Sequence, residues 1–224
     1  MIKLVVFDAY GTLFDVYSVV ELAETFYPKK GLELATLWRE KQIEYTRLIT
    51  EAGSQHYLSF WDVTIASLRY ACQKLSLQLE GKQEHQFLNQ YLSLKAFDES
   101  LHVLKELKNN RIQTAILSNG SPEMLLSAVE NAGMSDYLNK IISVDDVKLY
   151  KVAPEAYDLV LKNFDFDKEE VLFVSSNSWD ALGATWYGFK TYWVNRYGLP
   201  FETIGPKPSK SGPELGEVIS IALS

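Results

Sequence analysis

Cysteine, histidine and long apolar runs are scarce in this chain of 224 residues. The single cysteine, Cys72, cannot form an intramolecular disulfide, which excludes a disulfide-stabilised scaffold. His56, His85 and His102 have no base-like spacing to a nucleophile, and we assign them no role. No apolar run is long enough to span a bilayer, and the chain reaches the acidic Asp8 too early for a signal peptide. We therefore expect a reducing, cytoplasmic setting.

Positive charge is also limited. The chain has 22 lysines and arginines against 29 aspartates and glutamates, a net charge of −7 that is spread along the sequence. This balance favours solubility and argues against electrostatic binding to nucleic acid or to an anionic membrane.

Apolar residues, in contrast, are plentiful. Because 47% of its residues are hydrophobic, it can bury one sizeable core and carry a smaller inserted module.

Three short apolar runs end in polar clusters, as buried strands of a parallel sheet do. Residues 3–7 precede Asp8, residues 112–117 precede the cluster that begins at Ser118, and residues 171–174 precede a third cluster, residues 175–177. The helical patterns between and after them cover residues 101–107, 124–132, 154–161 and 181–187. This alternation predicts an α/β fold with parallel βαβ units. Ligands of such sheets bind at the carboxyl ends of the strands, so the three clusters should meet at one site.

Residues 16–94 contain almost only helical patterns, which predicts a helical cap inserted after the first strand. Residues 1–15 and 95–224 would then form the core domain. An apolar stripe at helical spacing is predicted to face the interior and consists of Leu34, Leu37, Trp38, Tyr45, Leu48 and Ile49. Arg39, Ile43 and Thr46 lie on another flank, about 100° or more from the centre of the stripe. Residues 205–213, rich in Pro, Gly, Ser and Lys, predict a surface loop before a last short helix.

Asp8 is the most informative single residue, because it stands at a strand end beside the turn at Gly11 and Thr12. A carboxylate in this position can act as a covalent nucleophile. It can equally cap the turn that follows, as Asp commonly does after a strand. The residues by themselves leave both interpretations open.

Four segments stand in the order and spacing of the four motifs of the haloacid dehalogenase superfamily, and the resemblance extends over nearly the whole chain. They are residues 8–13, residues 117–120, Lys151 and residues 174–180. Residues 37–42, 44–46, 175–180 and 188–196 further resemble the L-2-haloacid dehalogenases of that superfamily. The resemblance implies a Rossmann-like core, in which helices flank a parallel sheet, and an inserted helical cap. It also implies a homodimer built partly through the cap.

The implied activity is that of an (S)-2-haloacid dehalogenase. Such an enzyme hydrolyses short L-2-haloalkanoic acids to D-2-hydroxy acids through an aspartyl-ester intermediate, so its partners are a small haloacid substrate and the halide product. Three alternatives stay open: a phosphatase of small phosphate esters, a haloacetate or fluoroacetate dehalogenase, and a binding protein that has lost its chemistry. Retention of all four motifs argues against the last.

Two positions depart from the phosphatases of the superfamily. Those enzymes carry a second Asp two places after the nucleophile and another acid in the fourth motif, where this chain has Tyr10 and Ser176. A hard divalent cation needs several oxygen ligands of net negative charge, so we expect no metal site and no cofactor. A halide leaving group needs neither protonation nor a metal ion to depart.

The resemblance assigns catalytic roles to seven residues: Asp8, Thr12, Arg39, Lys151, Ser175, Asn177 and Asp180. Arg39 would bind the halide, and Lys151 would keep Asp8 ionised. Asp180, with Ser175 and Asn177, would position and deprotonate water. Each has a plainer alternative, such as a solvated helix position for Arg39, a surface lysine for Lys151 or an ion pair for Asp180.

The same resemblance assigns substrate contacts to nine residues: Ala9, Tyr10, Arg39, Ile43, Phe60, Ser118, Asn119, Tyr157 and Trp179. Ser118 and the amides beside Asn119 would bind the substrate carboxylate, although self-capping of the loop is the simpler explanation. Tyr10, Ile43, Phe60 and Trp179 would surround the alkyl group, although core packing explains them as well, and the resemblance places Tyr157 at the active site.

Overall fold

A six-stranded parallel sheet organises the computed structural model, which describes residues 1–224. In chain order the strands are β1 (Leu4–Phe7), β2 (Gln113–Ser118), β3 (Lys140–Ser143), β4 (Val171–Ser175), β5 (Lys190–Val194) and β6 (Lys210–Gly212). They lie in the order β3-β2-β1-β4-β5-β6, and every neighbouring pair is parallel. The predicted α/β fold is confirmed. Because β1 lies between β2 and β4, the carboxyl end of β1 is flanked by two other strand ends.

Nine helices accompany the sheet. They are α1 (Val20–Phe26), α2 (Gly31–Ala52), α3 (Phe60–Lys74), α4 (Gly81–Leu92), α5 (Ser100–Asn109), α6 (Pro122–Asn131), α7 (Pro154–Asn163), α8 (Ser178–Tyr187) and α9 (Glu217–Ala222). Short 3-10 turns cover Val16–Val19, Ser54–His56, Ser135–Tyr137, Val144–Asp146 and Lys168–Glu170. None of the helices is both long enough and apolar enough to cross a membrane.

Local sequence explains where several elements form. All four residues of β1 are completely buried, as the continuous apolar run of a central parallel strand requires. Proline occupies the first turn of α6 and of α7, where its missing N–H leaves no helical bond unmade. The last helix before β5, α8, ends at Gly188, whose φ of 105° is a left-handed conformation that glycine adopts without strain.

Three strands, β3, β5 and β6, were not predicted. β3 and β6 are only four and three residues long, and β6 lies in the segment predicted as a loop. The loop prediction for residues 205–213 is therefore wrong at Lys210–Gly212, which pairs with β5 at the edge of the sheet. An edge strand with mostly exposed residues carries no apolar run, so no pattern in the sequence predicts it.

The buried face of α2 also differs from the predicted stripe. Leu34 and Trp38 are buried, but Leu48 is 57% exposed, so that part of the prediction is wrong. Gln42 and Thr46 are buried instead, which rotates the buried face by roughly 70° about the helix axis. The Gln42 side chain is buried because its polar atoms have partners: its Nε2 donates to Thr64 Oγ1 at 2.9 Å, and its Oε1 accepts from the Tyr91 hydroxyl at 3.0 Å.

We propose that residues 16–94, which hold α1 to α4, form a cap domain and that residues 1–15 and 95–224 form the core. The two connections run side by side at the proposed boundary. The amide of Asp15 donates to the carbonyl of Lys95 at 2.8 Å, and the amide of Phe97 donates to the carbonyl of Leu13 at 3.0 Å. Paired crossings of this kind allow a whole helical module to be inserted without interrupting the sheet.

Candidate active site

Asp8 lies directly after β1 and is only 4% exposed. Its amide donates to the carbonyl of Val174 at 2.9 Å and so continues the pairing of β1 with β4. The chain then turns sharply at Gly11, whose φ is 92°. This turn returns Thr12 to the carboxylate, where Thr12 Oγ1 donates to Asp8 Oδ2 at 2.9 Å. A single buried carboxylate is thus fixed at the centre of the strand ends.

The two oxygens of Asp8 have different surroundings. Oδ2 accepts hydrogen bonds from Thr12 and, at 2.8 Å, from Asn177 Nδ2, and Ser175 Oγ lies 3.5 Å away. Oδ1 accepts from Lys151 Nζ at 2.9 Å. Neutral donors therefore converge on Oδ2, whereas Oδ1 accepts a single hydrogen bond, from the Lys151 cation. Oδ1 is left with more free lone-pair capacity than Oδ2.

Lys151 is 2% exposed, and its ammonium group has all three donors engaged. Nζ donates to Asp8 Oδ1 at 2.9 Å, to Asp180 Oδ2 at 2.8 Å and to the carbonyl of Leu117 at 3.0 Å. Burial by itself would lower the pKa of Lys151, but the charges of Asp180 and Asp8 outweigh it and hold that pKa above its usual value. The residue is a buried cation between two carboxylates, not a surface lysine. Its peptide bond to Val152 is cis.

Asp180 completes the buried network from the start of α8 and is fully buried. Burial raises the pKa of its carboxyl group, Lys151 opposes that effect, and the nearby charge of Asp8 raises it further. A carboxylate with a raised pKa is a stronger base. The hydroxyl of Tyr157 donates to Asp180 Oδ1 at 2.8 Å, and burial raises the pKa of Tyr157 well above its usual value, so this phenol stays a donor.

Arg39 extends from cap helix α2 to the same strand ends. Its Nη2 donates to the carbonyl of Tyr10 at 3.1 Å and lies 3.4 Å from Asn177 Oδ1. Asn177 in turn donates from Nδ2 to Asp8, so one amide side chain connects the guanidinium to the carboxylate. The cation faces the buried carboxylate, which contradicts the alternative of a solvated helix position.

A narrow cleft opens above Asp8 between the cap and the strand ends. Its lining residues are Asp8, Tyr10, Arg39, Ile43, Thr46, Phe60, Ser118, Asn119 and Trp179. Eight of these were among the predicted site residues. Thr46 was not, although its position on the same helical flank as Arg39 and Ile43 was a usable signal.

Three of the predicted residues, Ala9, Ser118 and Asn119, accept hydrogen bonds from backbone amides at the strand ends. Ala9 is fully buried and does not line the cleft; the Ala9 carbonyl accepts from the amides of Leu13 and Phe14 and closes the turn. Ser118 Oγ accepts from the Gly120 amide at 3.1 Å, which is the self-capping that the sequence left open. Loop residue Asn119 also serves the network, because its Oδ1 accepts from the amide of Lys151 at 3.0 Å.

Ser176 and Tyr10 occupy the two places where phosphatases of similar sequence have acids. The Ser176 hydroxyl donates to the carbonyl of Gly11, and its amide donates to Thr12 Oγ1 at 2.9 Å, so this residue fastens the turn beside Asp8. Tyr10 presents an aromatic ring to the cleft. In the whole structure no group of three or more His, Cys, Asp or Glu side chains is placed to hold a metal ion.

Comparisons with known proteins agree with this geometry. A family model described as haloacid dehalogenase-like hydrolase matches residues 2–188. The (S)-2-haloacid dehalogenase of Pseudomonas sp. (strain YL) is 40% identical over 220 residues, which cover 98% of this chain and 94% of that protein. A crystal structure of an L-2-haloacid dehalogenase is 48% identical with a TM-score of 0.97, covering 100% of this chain and 99% of that one.

The L-2-haloacid dehalogenase of Xanthobacter autotrophicus, solved with chloropropionic acid covalently bound, is 35% identical with a TM-score of 0.93. That match covers 100% of this chain and 99% of the other. Both structural matches extend over the full length of this chain, so the whole fold, including the helices of residues 16–94, has its counterpart in these enzymes. The chain therefore belongs to the haloacid dehalogenase-like hydrolases and, within them, to the L-2-haloacid dehalogenase family.

Proposed function

We propose that this protein is an (S)-2-haloacid dehalogenase that converts short L-2-haloalkanoic acids into D-2-hydroxy acids and halide. The observation that carries the proposal is the buried carboxylate of Asp8. Thr12 and Asn177 donate to its Oδ2, and Lys151 Nζ donates to its Oδ1 at 2.9 Å. The names of the relatives support the substrate class. The covalently bound chloropropionic acid in the Xanthobacter enzyme supports a covalent first step.

In the first step, Asp8 Oδ1 attacks C2 of the substrate from the side opposite the halogen. Oδ1 is the better candidate because it accepts fewer hydrogen bonds than Oδ2. The guanidinium of Arg39 stabilises the departing halide as charge develops on it. The substrate carboxylate binds the loop at Ser118 and Asn119, and its alkyl group faces the aromatic wall of the cleft. This displacement inverts C2 and leaves an ester on Asp8.

In the second step, water attacks the ester carbonyl carbon. Oδ2 is then the carbonyl oxygen, and the donors Thr12 and Asn177, with Ser175 nearby, stabilise the negative charge that develops there. Forming the ester removes the charge on Oδ1, so Lys151 can turn one N–H from Oδ1 to the incoming water. The strengthened base Asp180 accepts the proton of that water. The bond from Cγ of Asp8 to Oδ1 then breaks, so Oδ1 leaves on C2 and takes the proton from Asp180 to become the product hydroxyl. The bond from C2 to Oδ1 is kept, and the water oxygen stays in the Asp8 carboxylate.

Substitution of Arg39 tests its assignment to halide release. We expect Arg39→Lys to lower kcat by about a hundredfold or more, because an ammonium cannot bind a halide while also holding the Tyr10 carbonyl in a fixed geometry. The measurement is halide release at saturating substrate. Arg69→Lys on α3 is the matched control, since Arg69 pairs with Glu84 at the protein surface and should leave the rate unchanged. Normal kinetics in Arg39→Lys would return Arg39 to a structural role.

The direct test of the function is a halide-release assay with both enantiomers of 2-chloropropionate in excess EDTA. We expect the L enantiomer to yield chloride and D-2-hydroxypropionate, and the D enantiomer to yield neither. Activity should survive EDTA, because Tyr10 and Ser176 replace the acids that a magnesium site would need. Loss of chloride release in EDTA that magnesium restores, or turnover of a phosphomonoester in magnesium alone, would favour the phosphatase alternative.

The homodimer that the resemblance implies stays a prediction, which sedimentation equilibrium can test. Halogen preference is open to the same halide-release assay with chloro-, bromo- and fluoroacetate, and chain-length preference to the same assay with longer 2-chloroalkanoates.

A further inference from the structure

Gly120 follows β2 and stands directly behind the ring of Tyr10. A Cβ atom built on Gly120 would lie 2.7 Å from Tyr10 Cε2 and 3.0 Å from Leu125 Cδ2. Real Cβ atoms do not approach other heavy atoms to within 3.0 Å, so the ring occupies space that only glycine leaves free. The backbone of Gly120 is not left-handed, so the reason for glycine here is this close approach and not a special φ.

The ring of Tyr10 is confined on its other sides. It stacks on Tyr91 with ring centroids 5.7 Å apart and lies 5.5 Å from the ring of Phe60. Tyr91 cannot yield easily, because it is 2% exposed and its hydroxyl donates to the buried Gln42. Leu125, the other neighbour of that Cβ, is fully buried. Of the two groups that an added methyl would strike, only Tyr10 borders the open space of the cleft.

We infer that Gly120 determines the size of the alkyl pocket: by having no side chain it lets the ring of Tyr10 sit back from Asp8 and makes room for a substituent on C2 of the substrate. The inference rests on the proposed function and adds a specificity-determining residue that does not itself line the cleft. A methyl group at position 120 pushes the Tyr10 ring toward the cleft and removes about the volume of a methyl substituent. Chloroacetate, which lacks that substituent, is unaffected by the narrowing.

The test is the ratio of kcat/KM for L-2-chloropropionate to kcat/KM for chloroacetate. In Gly120→Ala we expect this ratio to fall about tenfold, the discrimination that one methyl group gives in a tight apolar pocket. The ratio compares two substrates on the same preparation, so a lower folded fraction cancels, and a purely structural defect would not move it. Gly81→Ala is the matched control, because nothing lies within 4 Å of a Cβ at Gly81.

Two further variants keep the inference falsifiable. Adding Leu125→Ala to Gly120→Ala opens space on the other side of the new methyl and should restore the ratio. If Gly120→Ala fails to fold, Tyr10→Leu takes its place: it keeps the backbone carbonyl that Arg39 binds and should raise the ratio. An unchanged ratio in folded Gly120→Ala, or in Tyr10→Leu, overturns the inference. Failure of the wild-type protein to release chloride from either acid would instead overturn the proposed function.

Discussion

Asp8→Asn is expected to abolish dehalogenation, with kcat reduced on the order of 10⁴-fold or more, while the protein still folds. An amide is nearly the same size as a carboxylate but is a poor nucleophile, so no ester can form. The fold should persist because Lys151 keeps its second carboxylate partner, Asp180, at 2.8 Å. A buried cation left without any partner would be far more damaging than one that loses one of two.

The loss of activity is measured as chloride release from L-2-chloropropionate, and the fold is checked by circular dichroism and thermal melting. Asp98→Asn is the matched control: the Asp98 side chain is 95% exposed and outside the site, so this variant should behave as the wild type. Chloride release by Asp8→Asn at the normal rate would remove Asp8 from the chemistry and leave it as a turn cap.

The part of the site that lies at the carboxyl ends of the strands could be predicted from the sequence. Asp8, Ser118 and Ser175 each follow an apolar run, and in a parallel sheet such positions share one edge. The sequence therefore indicated their convergence before any family was considered. Local pattern also placed Arg39 and Ile43 on one flank of a helix, and both line the cleft.

Long-range pairing made the rest unpredictable. Lys151 is hydrogen-bonded to Asp8 and Asp180, which lie 143 and 29 positions away in the sequence. No local pattern distinguishes it from a surface lysine. Only the family resemblance pointed to its role. Gln42 in the cap is a second example. As a polar residue it was not part of the predicted apolar stripe, yet it is buried because its side chain has hydrogen-bond partners in Thr64 and Tyr91. Polar burial depends on partners that only the folded chain brings together.

The origin of the new oxygen in the product separates a covalent ester from direct attack by water. In a single turnover in heavy-oxygen water, with enzyme in excess over L-2-chloropropionate, we expect unlabelled D-2-hydroxypropionate. The oxygen on C2 then comes from Asp8 Oδ1, and the solvent oxygen enters the Asp8 carboxylate when the ester is hydrolysed. Mass spectrometry should find the label in the peptide that contains Asp8.

Later turnovers provide an internal control. The solvent oxygen takes the place that Oδ1 vacates, while Oδ2 stays bound by Thr12 and Asn177 at 2.9 and 2.8 Å. If these donors keep the carboxylate from rotating between turnovers, all product from the second turnover onward carries the label; free rotation would label only about half of the second-turnover product. Label at C2 in the first turnover, by contrast, means that water attacks C2 directly and Asp8 serves as a base. Product with retained configuration would be equally incompatible with one inverting displacement followed by attack at the ester carbonyl.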